Sequence, residues 1–158
     1  MQEGKITIGT VCFIIDETKQ KVLMLERANE PMQNMFTGVG GKTGFAEDIQ
    51  LSCCREVNEE TGFDVENLRL KGVIKTVLEG QSSSWILFVY ITNEFSGKQI
   101  ECPEGKLMWV DKDEVMNLNL IGFIREIMPQ VFDRNVFIEG TIVHDKQGRV
   151  LEKTIITL

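Results

Sequence analysis

Five carboxylates are concentrated between residues 41 and 63, where the sequence reads GKTGFAEDIQLSCCREVNEETGF. Three of them, Glu56, Glu59 and Glu60, have the spacing i, i+3 and i+4, so a helix would gather them into one sector. The same angular arithmetic places Glu56 and Glu60 beside the apolar stripe of that helix. Clustered carboxylates near a core are costly unless something positive pairs with them, and a divalent cation with oxygen ligands meets this need. The pattern therefore predicts a metal site, with a solvated acidic helix face as the alternative.

Two neighbouring segments predict how these carboxylates are positioned. Residues 28–47 contain Pro31 and four glycines, which predict a long irregular loop, and loops of this length tend to be functional. Residues 48–60 lack Gly and Pro and are followed by Gly62, which suits the position just past a helix end. We therefore predict a loop that leads into an acidic helix.

The rest of the chain predicts a sheet with further helices. Three hairpins are expected, at 5–25, at 68–95 around the turn-like residues 80–83, and at 136–156 around residues 146–148. Residues 106–110 predict a short strand, and the apolar stripe within 111–132 predicts one or two short helices. This order of elements predicts an α/β fold in which helices pack on a mixed β-sheet.

Composition narrows the classes of partner. The net charge of −7 disfavours a polynucleotide or an anionic membrane as partner, and a protein this acidic would need divalent cations to handle phosphates. The four cysteines form no CxxC pair and are interpreted as reduced thiols. No apolar run predicts a signal peptide or a membrane span, so a cytoplasmic location is expected.

The acidic segment also matches a complete family motif. Its residues fit every fixed position of the pattern G-x5-E-x7-R-E-U-x-E-E-x-G-U, in which U is a bulky apolar residue: Gly41, Glu47, Arg55, Glu56, Val57, Glu59, Glu60, Gly62 and Phe63. The chain therefore resembles the Nudix hydrolase family. The resemblance implies an α/β/α sandwich with a mixed β-sheet, formed by residues 1–158 as a single domain. It also implies a hydrolase that cuts a diphosphate linkage with Mg²⁺, for which Mn²⁺ can substitute.

The resemblance assigns roles to individual residues. It implies that five groups hold the metal, namely the peptide oxygen of Gly40 and the carboxylates of Glu56, Glu59, Glu60 and Glu104. Glu101 competes with Glu104 for the last of these places, and the proton acceptor remains open among Glu59, Glu60 and Glu104.

Other residues are expected to support the site or to bind substrate. The resemblance implies that Glu47 and Arg55 brace the loop against the helix. The predicted substrate-binding residues are Arg27, Phe36, Thr37, Gly41, Lys42 and Asn119. Trp85 and Trp109 are interpreted as core residues, and His144 as a surface or turn residue without a role in catalysis.

The sequence predicts the type of reaction but leaves several substrates possible. The chain resembles the MutT-like branch, which implies 8-oxo-dGTP or a related purine nucleotide as substrate, cut to the monophosphate and diphosphate. Thr37 stands where that branch has a base-reading Asn, which leaves a guanosine polyphosphate or a nucleoside diphosphate sugar open. A nucleotide-binding regulator without catalysis is the alternative from another class, and the complete set of motif glutamates argues against it. The oligomeric state is not predicted.

Overall fold

The computed structural model describes residues 3–158. The elements along the chain are β1 (Lys5–Asp16), β2 (Lys21–Arg27), β3 (Phe36–Thr37), α1 (Ile49–Thr61), β4 (Phe63–Glu66), β5 (Arg69–Leu78), β6 (Ser83–Thr92), β7 (Glu94–Gly97), β8 (Gly105–Asp111), a 3₁₀ helix (Lys112–Asn117), α2 (Gly122–Val131), β9 (Ile138–His144) and β10 (Val150–Thr157). Among the described residues, no helix is long and apolar enough to cross a membrane.

Eight of the strands form one mixed sheet in the order β10-β9-β5-β6-β1-β2-β3, with β8 paired to β2. β1 runs parallel to β6 and β5 runs parallel to β9, whereas the other neighbours are antiparallel. β4 and β7 form a separate two-stranded sheet. The three predicted hairpins and the strand at 106–110 are confirmed.

The large sheet lies between two helical layers. Successive residues of its central strand β1 face opposite sides, so each side of the strand packs against a different layer. Phe13 packs in the core cluster that contains the buried face of α2, whereas Cys12 and Ile14 pack in the cluster that contains Cys53 and Val57 of α1. A strand that is buried on both faces has a continuous apolar run, as β1 has. The predicted α/β/α sandwich with a mixed sheet is confirmed.

The chain departs from the sequence prediction at residues 83–95, where one strand was expected. The structure has two strands, because the chain bends at Asn93 and β7 leaves the large sheet to pair with β4. The Thr92 hydroxyl fixes the bend, since it accepts a hydrogen bond from the Glu94 N–H at 3.1 Å and donates one to the Glu66 carbonyl at 2.6 Å. Four-residue strands of this kind carry too little periodicity to be recognised in the sequence.

Candidate active site

The glycine-rich loop after β3 lies along the free edge of β1. The Thr10 and Cys12 N–H groups donate to the carbonyl oxygens of Gly41 and Val39, at 2.8 and 2.6 Å. Gly40 has a φ of +149°, and a Cβ there would lie 2.1 Å from the Thr10 carbonyl oxygen. The loop can therefore approach β1 only because position 40 has no side chain.

This close approach predicts a large stability effect of Gly40→Ala. The added Cβ collides with backbone, so we expect the free energy of unfolding to fall by about 2 kcal/mol or more. Gly80→Ala is the matched control, because Gly80 also has a positive φ but nothing lies within 4 Å of its Cβ position. It should cost only about 1 kcal/mol, from the left-handed conformation alone. Denaturant unfolding of both variants measures the difference, and equal losses would contradict the close approach.

Helix α1 has nearly the bounds that the sequence predicts. The Asp48 carboxylate accepts a hydrogen bond from the Leu51 N–H at 2.9 Å and caps the N-terminus. Gly62 ends the helix with a φ of 82°. Between these caps, the face that packs on the sheet includes Val57 and, unusually for a charged residue, Glu60. The helix therefore directs a carboxylate inward, as its spacing predicted.

Glu60 is the most strongly perturbed carboxyl group of the site. Its side chain is buried, with 7% of the residue exposed, and accepts a hydrogen bond from the Gly40 N–H at 3.3 Å. Burial is the main cause that raises the pKa of Glu60 to about 8; the Gly40 N–H lowers the pKa, and the charges of Glu56, Glu104 and Glu59 raise it. Four carboxylates thus share one small region. This clustering fits a divalent cation, which would relieve both the burial cost and the repulsion.

Arg55 and Glu47 form a two-bond ion pair that ties the loop to α1. Their N–O distances are 2.7 and 2.9 Å, and Glu47 also accepts a hydrogen bond from the Gly44 N–H at 3.0 Å. The hydrogen bonds from Arg55, followed by that from Gly44, lower the pKa of Glu47 to about 2. Arg55 also donates to the Lys42 carbonyl at 3.2 Å. The structure thus brings Glu47 and Arg55 into the contact that a brace requires.

Arg55 also draws two of the predicted metal ligands toward itself. Its Nη1 lies 3.1 Å from Glu56 and 3.2 Å from Glu59, whose side chain is more than half exposed. Within residues 3–158, no three His, Cys, Asp or Glu side chains converge closely enough to enclose an ion. For Glu59 to hold a cation, its side chain would have to turn away from Arg55.

A cavity of about 610 Å³ opens beside these carboxylates. Six of the predicted site residues line it beside Glu60: Arg27, Thr37, Gly40, Gly41, Lys42 and Glu56. Glu104 also lines it, whereas its competitor Glu101 does not. The remaining wall is largely apolar or aromatic and includes Trp85, Leu87, Ile121 and Phe123. A cavity of this size, polar at one side and apolar elsewhere, suits a small organic phosphate.

Five predicted site residues lie outside the cavity lining: the paired Glu47 and Arg55, together with Glu59, Phe36 and Asn119. Glu59 is held at Arg55, and Asn119 is exposed, with its backbone carbonyl bound by the Phe36 N–H at 2.8 Å. The prediction that Phe36 faces the pocket is wrong, because its side chain is 7% exposed and packs in the core on the α2 side of the sheet. Strand β3 instead presents the next residue, Thr37, to the cavity.

Among the residues of the cavity wall that sequence reasoning missed, two have side-chain rings that contain nitrogen, Trp85 and His144. Trp85 was interpreted as a core residue but is 37% exposed and lines the cavity, and His144 lines it as well. The other tryptophan, Trp109, packs against Phe63 and Phe95 as expected. Alternation along β6 could have assigned Trp85 a face, but only the pairing of distant strands shows which face meets the cavity.

Comparisons with known proteins identify the class of protein. The family model described as the NUDIX domain matches residues 5–131. The crystal structure of a mutator MutT protein from Bacillus halodurans is similar, with a TM-score of 0.85, 31% identity, and coverage of 94% of this chain and 97% of that one. The Nudix hydrolase YvcI of Bacillus subtilis is 28% identical over 139 residues, which are 85% of this chain and 86% of YvcI.

A third relative is more distant. The oxidized purine nucleoside triphosphate hydrolase of Danio rerio is 29% identical over 80 residues, about 51% of each protein. The family match covers well over half of the chain, and the site carries the complete motif. The chain therefore belongs to the Nudix family. Its enzyme class is that of a pyrophosphohydrolase.

Proposed function

We propose that this pyrophosphohydrolase cuts a nucleoside triphosphate to the monophosphate and diphosphate, with Mg²⁺ or Mn²⁺ as cofactor. The observation that carries the proposal is one cavity that is lined both by the carboxylates Glu56, Glu60 and Glu104 and by apolar and aromatic side chains. The carboxylates suit a metal-bound diphosphate, and the apolar and aromatic side chains suit a base. Oxidised purine nucleotides such as 8-oxo-dGTP are the first substrates to test, because MutT and the fish purine hydrolase are among the similar proteins.

The residues present divide the work of hydrolysis. Glu56, Glu59, Glu60, Glu104 and the Gly40 carbonyl would hold the cation. When bound, the cation supplies charge neutralisation on phosphate oxygens and lowers the pKa of a water molecule. A carboxylate at the cavity would accept the proton of the attacking water, whose oxygen bonds to one phosphorus as the bridging P–O bond breaks and the other phosphate product leaves as an anion. Arg27 and Lys42 lie on the cavity wall where a cationic side chain could contact phosphate oxygens.

A substrate screen tests the proposal. The purified protein should release monophosphate and diphosphate from at least one nucleoside triphosphate in a panel that contains 8-oxo-dGTP, the ordinary nucleotides, a guanosine polyphosphate and nucleoside diphosphate sugars. Product identity by chromatography separates cleavage at the diphosphate linkage from release of a single phosphate. If the protein cleaves only the nucleoside diphosphate sugars, its substrate is not a nucleoside triphosphate.

Thr37 predicts looser discrimination between oxidised and ordinary bases. It lines the cavity with one hydroxyl on a short branched stem, whereas an Asn would offer an acceptor and two donors on a planar amide. We therefore expect a modest preference for 8-oxo-dGTP over dGTP, and we expect Thr37→Asn to change that ratio. The measurement is kcat/KM for both nucleotides with both proteins. A strong wild-type preference that Thr37→Asn leaves unmoved would mean that Thr37 does not contact the base.

A further inference from the structure

Part of the cavity wall is built by three neighbouring strands of the sheet, β6, β5 and β9. Trp85 of β6 pairs across to Thr76 of β5, and His144 of β9 pairs across to Leu78 of β5. Residues 76 and 78 share a face, so the side chains of Trp85 and His144 also lie on that face. All four residues line the cavity. Two strand spacings of about 4.8 Å and an offset of two residues along the strands separate the backbone positions of Trp85 and His144 by roughly 12 Å, with Thr76 and Leu78 of β5 between them.

Trp85 also lies next to the glycine-rich loop. A Cβ at Gly9 would lie 2.8 Å from the indole Cζ3 and 3.0 Å from the Gly41 carbonyl oxygen. A Cβ at Gly41 would in turn lie 2.6 Å from the Glu56 carboxyl group. One glycine thus separates the indole from the loop, and the loop contacts a predicted metal ligand. A nucleotide with its phosphates near Glu56 would have its planar base beside the indole of Trp85.

The hydrogen bonding of His144 defines what it offers to a ligand. Its Nδ1 lies 2.8 Å from the Asp145 carbonyl oxygen, which can only accept, so Nδ1 carries the proton. In the neutral imidazole, Nε2 is then an acceptor, and no hydrogen bond occupies it among the described residues. Strand pairing and the hydrogen bond from the Glu79 N–H to the His144 carbonyl at 2.9 Å hold the residue in place. His144 is therefore a positioned acceptor on the cavity wall.

The other polar groups on this part of the wall do not discriminate in the same way. Thr76 and Ser83 line the cavity there with hydroxyl groups, which donate or accept as a ligand requires. The imidazole acceptor, by contrast, favours a ligand that presents an N–H and disfavours one that presents a lone pair. The opposite wall, with Ile121 and Phe123, is apolar and suits the faces of an aromatic ring.

We propose that Trp85 and His144 form the base-recognition wall, in which the indole stacks on the base and His144 Nε2 accepts a hydrogen bond from its N–H edge. The substrates of this site are then nucleotides of lactam purines, which carry N1–H, in preference to adenine, whose N1 is an acceptor. This inference rests on the proposed function, since it assumes that the ligand is a nucleotide. Guanine and 8-oxoguanine share the N1–H, so both belong to the class.

Binding of reaction products tests the wall without turnover. Trp109→Phe leaves Trp85 as the only tryptophan, and GMP with Mg²⁺ should quench its fluorescence because the base stacks on it. AMP should bind at least about tenfold more weakly, and ribose 5-phosphate, which has no base, should not quench. GMP binding measured by calorimetry should weaken about tenfold in Trp85→Leu. Equal binding of GMP and AMP by the wild type, or no quenching by GMP, would overturn the proposal.

Two substitutions at His144 separate hydrogen bonding from shape. His144→Phe keeps a flat ring without the acceptor, and should bring the affinity for GMP to that for AMP. His144→Gln retains an acceptor and should preserve part of the preference for GMP, which a merely structural role would not predict. Thermal melting must show both variants folded, and Trp85→Leu gives an independent test if His144→Phe is not. If His144→Phe keeps the wild-type preference for GMP over AMP, His144 is not the hydrogen-bond acceptor for the base.

Turnover distinguishes this inference from the proposed function. If GMP binding depends on Trp85 and His144 but no nucleoside triphosphate is cleaved, the proposed function fails and the recognition wall stands. If triphosphates are cleaved while the variants bind GMP as the wild type does, the recognition wall fails alone.

Discussion

Glu60→Gln is expected to lower kcat by at least about a hundredfold, and Glu59→Gln to do the same, because each removes a charge needed by the cation. The two residues start from different positions, since Glu60 is buried at the Gly40 N–H whereas Glu59 is exposed at Arg55. Steady-state kinetics with saturating Mg²⁺ measures the loss. Glu101→Gln is the matched control, because Glu101 is an exposed carboxylate near Glu104 that does not line the cavity, and its kcat should not change.

Glu60→Gln should also stabilise the metal-free protein. The pKa of Glu60 is raised to about 8 from an ordinary value of 4.5, chiefly by burial. Between these values the unfolded chain loses the Glu60 proton while the folded chain keeps it, so stability falls as pH rises through this window. Glutamine removes that penalty. In chelator at pH 8, Glu60→Gln should therefore melt at least about 3 °C above wild type, and the difference should disappear near pH 4.

The two measurements together separate function from folding. Lower turnover in a protein that is more stable without metal identifies Glu60 as a residue kept for its charge despite the cost of burial. Near-normal turnover in both Glu59→Gln and Glu60→Gln would contradict the metal assignment. Lower stability of Glu60→Gln in chelator would instead show that the hydrogen bond from Gly40 outweighs burial.

The acidic helix shows what local sequence determines. Gly62 ends α1 as expected, whereas Asp48, which was expected to be the first helical residue, caps the helix instead. The inward direction of Glu60 follows from its angular distance to Val57. The contact between Arg55 and Glu47 was implied by the family motif, and it spans only eight residues.

The base-recognition wall shows what local sequence leaves open. Trp85 and His144 are 59 residues apart and meet the same cavity only because β5 pairs with both β6 and β9. Neither hairpin alone specifies that shared pairing, and a shift of one residue would turn either side chain to the other face. Phe36 was misplaced for the same reason, since its position beside the glycines did not reveal which face of β3 it occupies.

The second large effect concerns the metal itself. Exhaustive chelation should abolish turnover, and either Mg²⁺ or Mn²⁺ should restore it. The physical reason is repulsion, since Glu56, Glu60 and Glu104 line the cavity that must accept an anionic diphosphate, in a protein of net charge −7. The cations on the wall, Arg27 and Lys42, are fewer than these carboxylates. A titration of activity against free Mg²⁺ in a metal buffer measures the dependence.

Melting without substrate provides an independent reading of the same site. Because Mg²⁺ binds the folded chain and relieves the burial of an ionised Glu60, it should raise the melting temperature at pH 8 as its concentration rises. Glu60→Gln should reduce this rise, whereas Glu101→Gln should preserve it. If turnover persists after exhaustive chelation, the carboxylates act without a metal and the charge argument fails. If turnover depends on Mg²⁺ but the melting temperature of the substrate-free protein does not, the cation arrives with the nucleotide, and the carboxylates hold it only in the ternary complex.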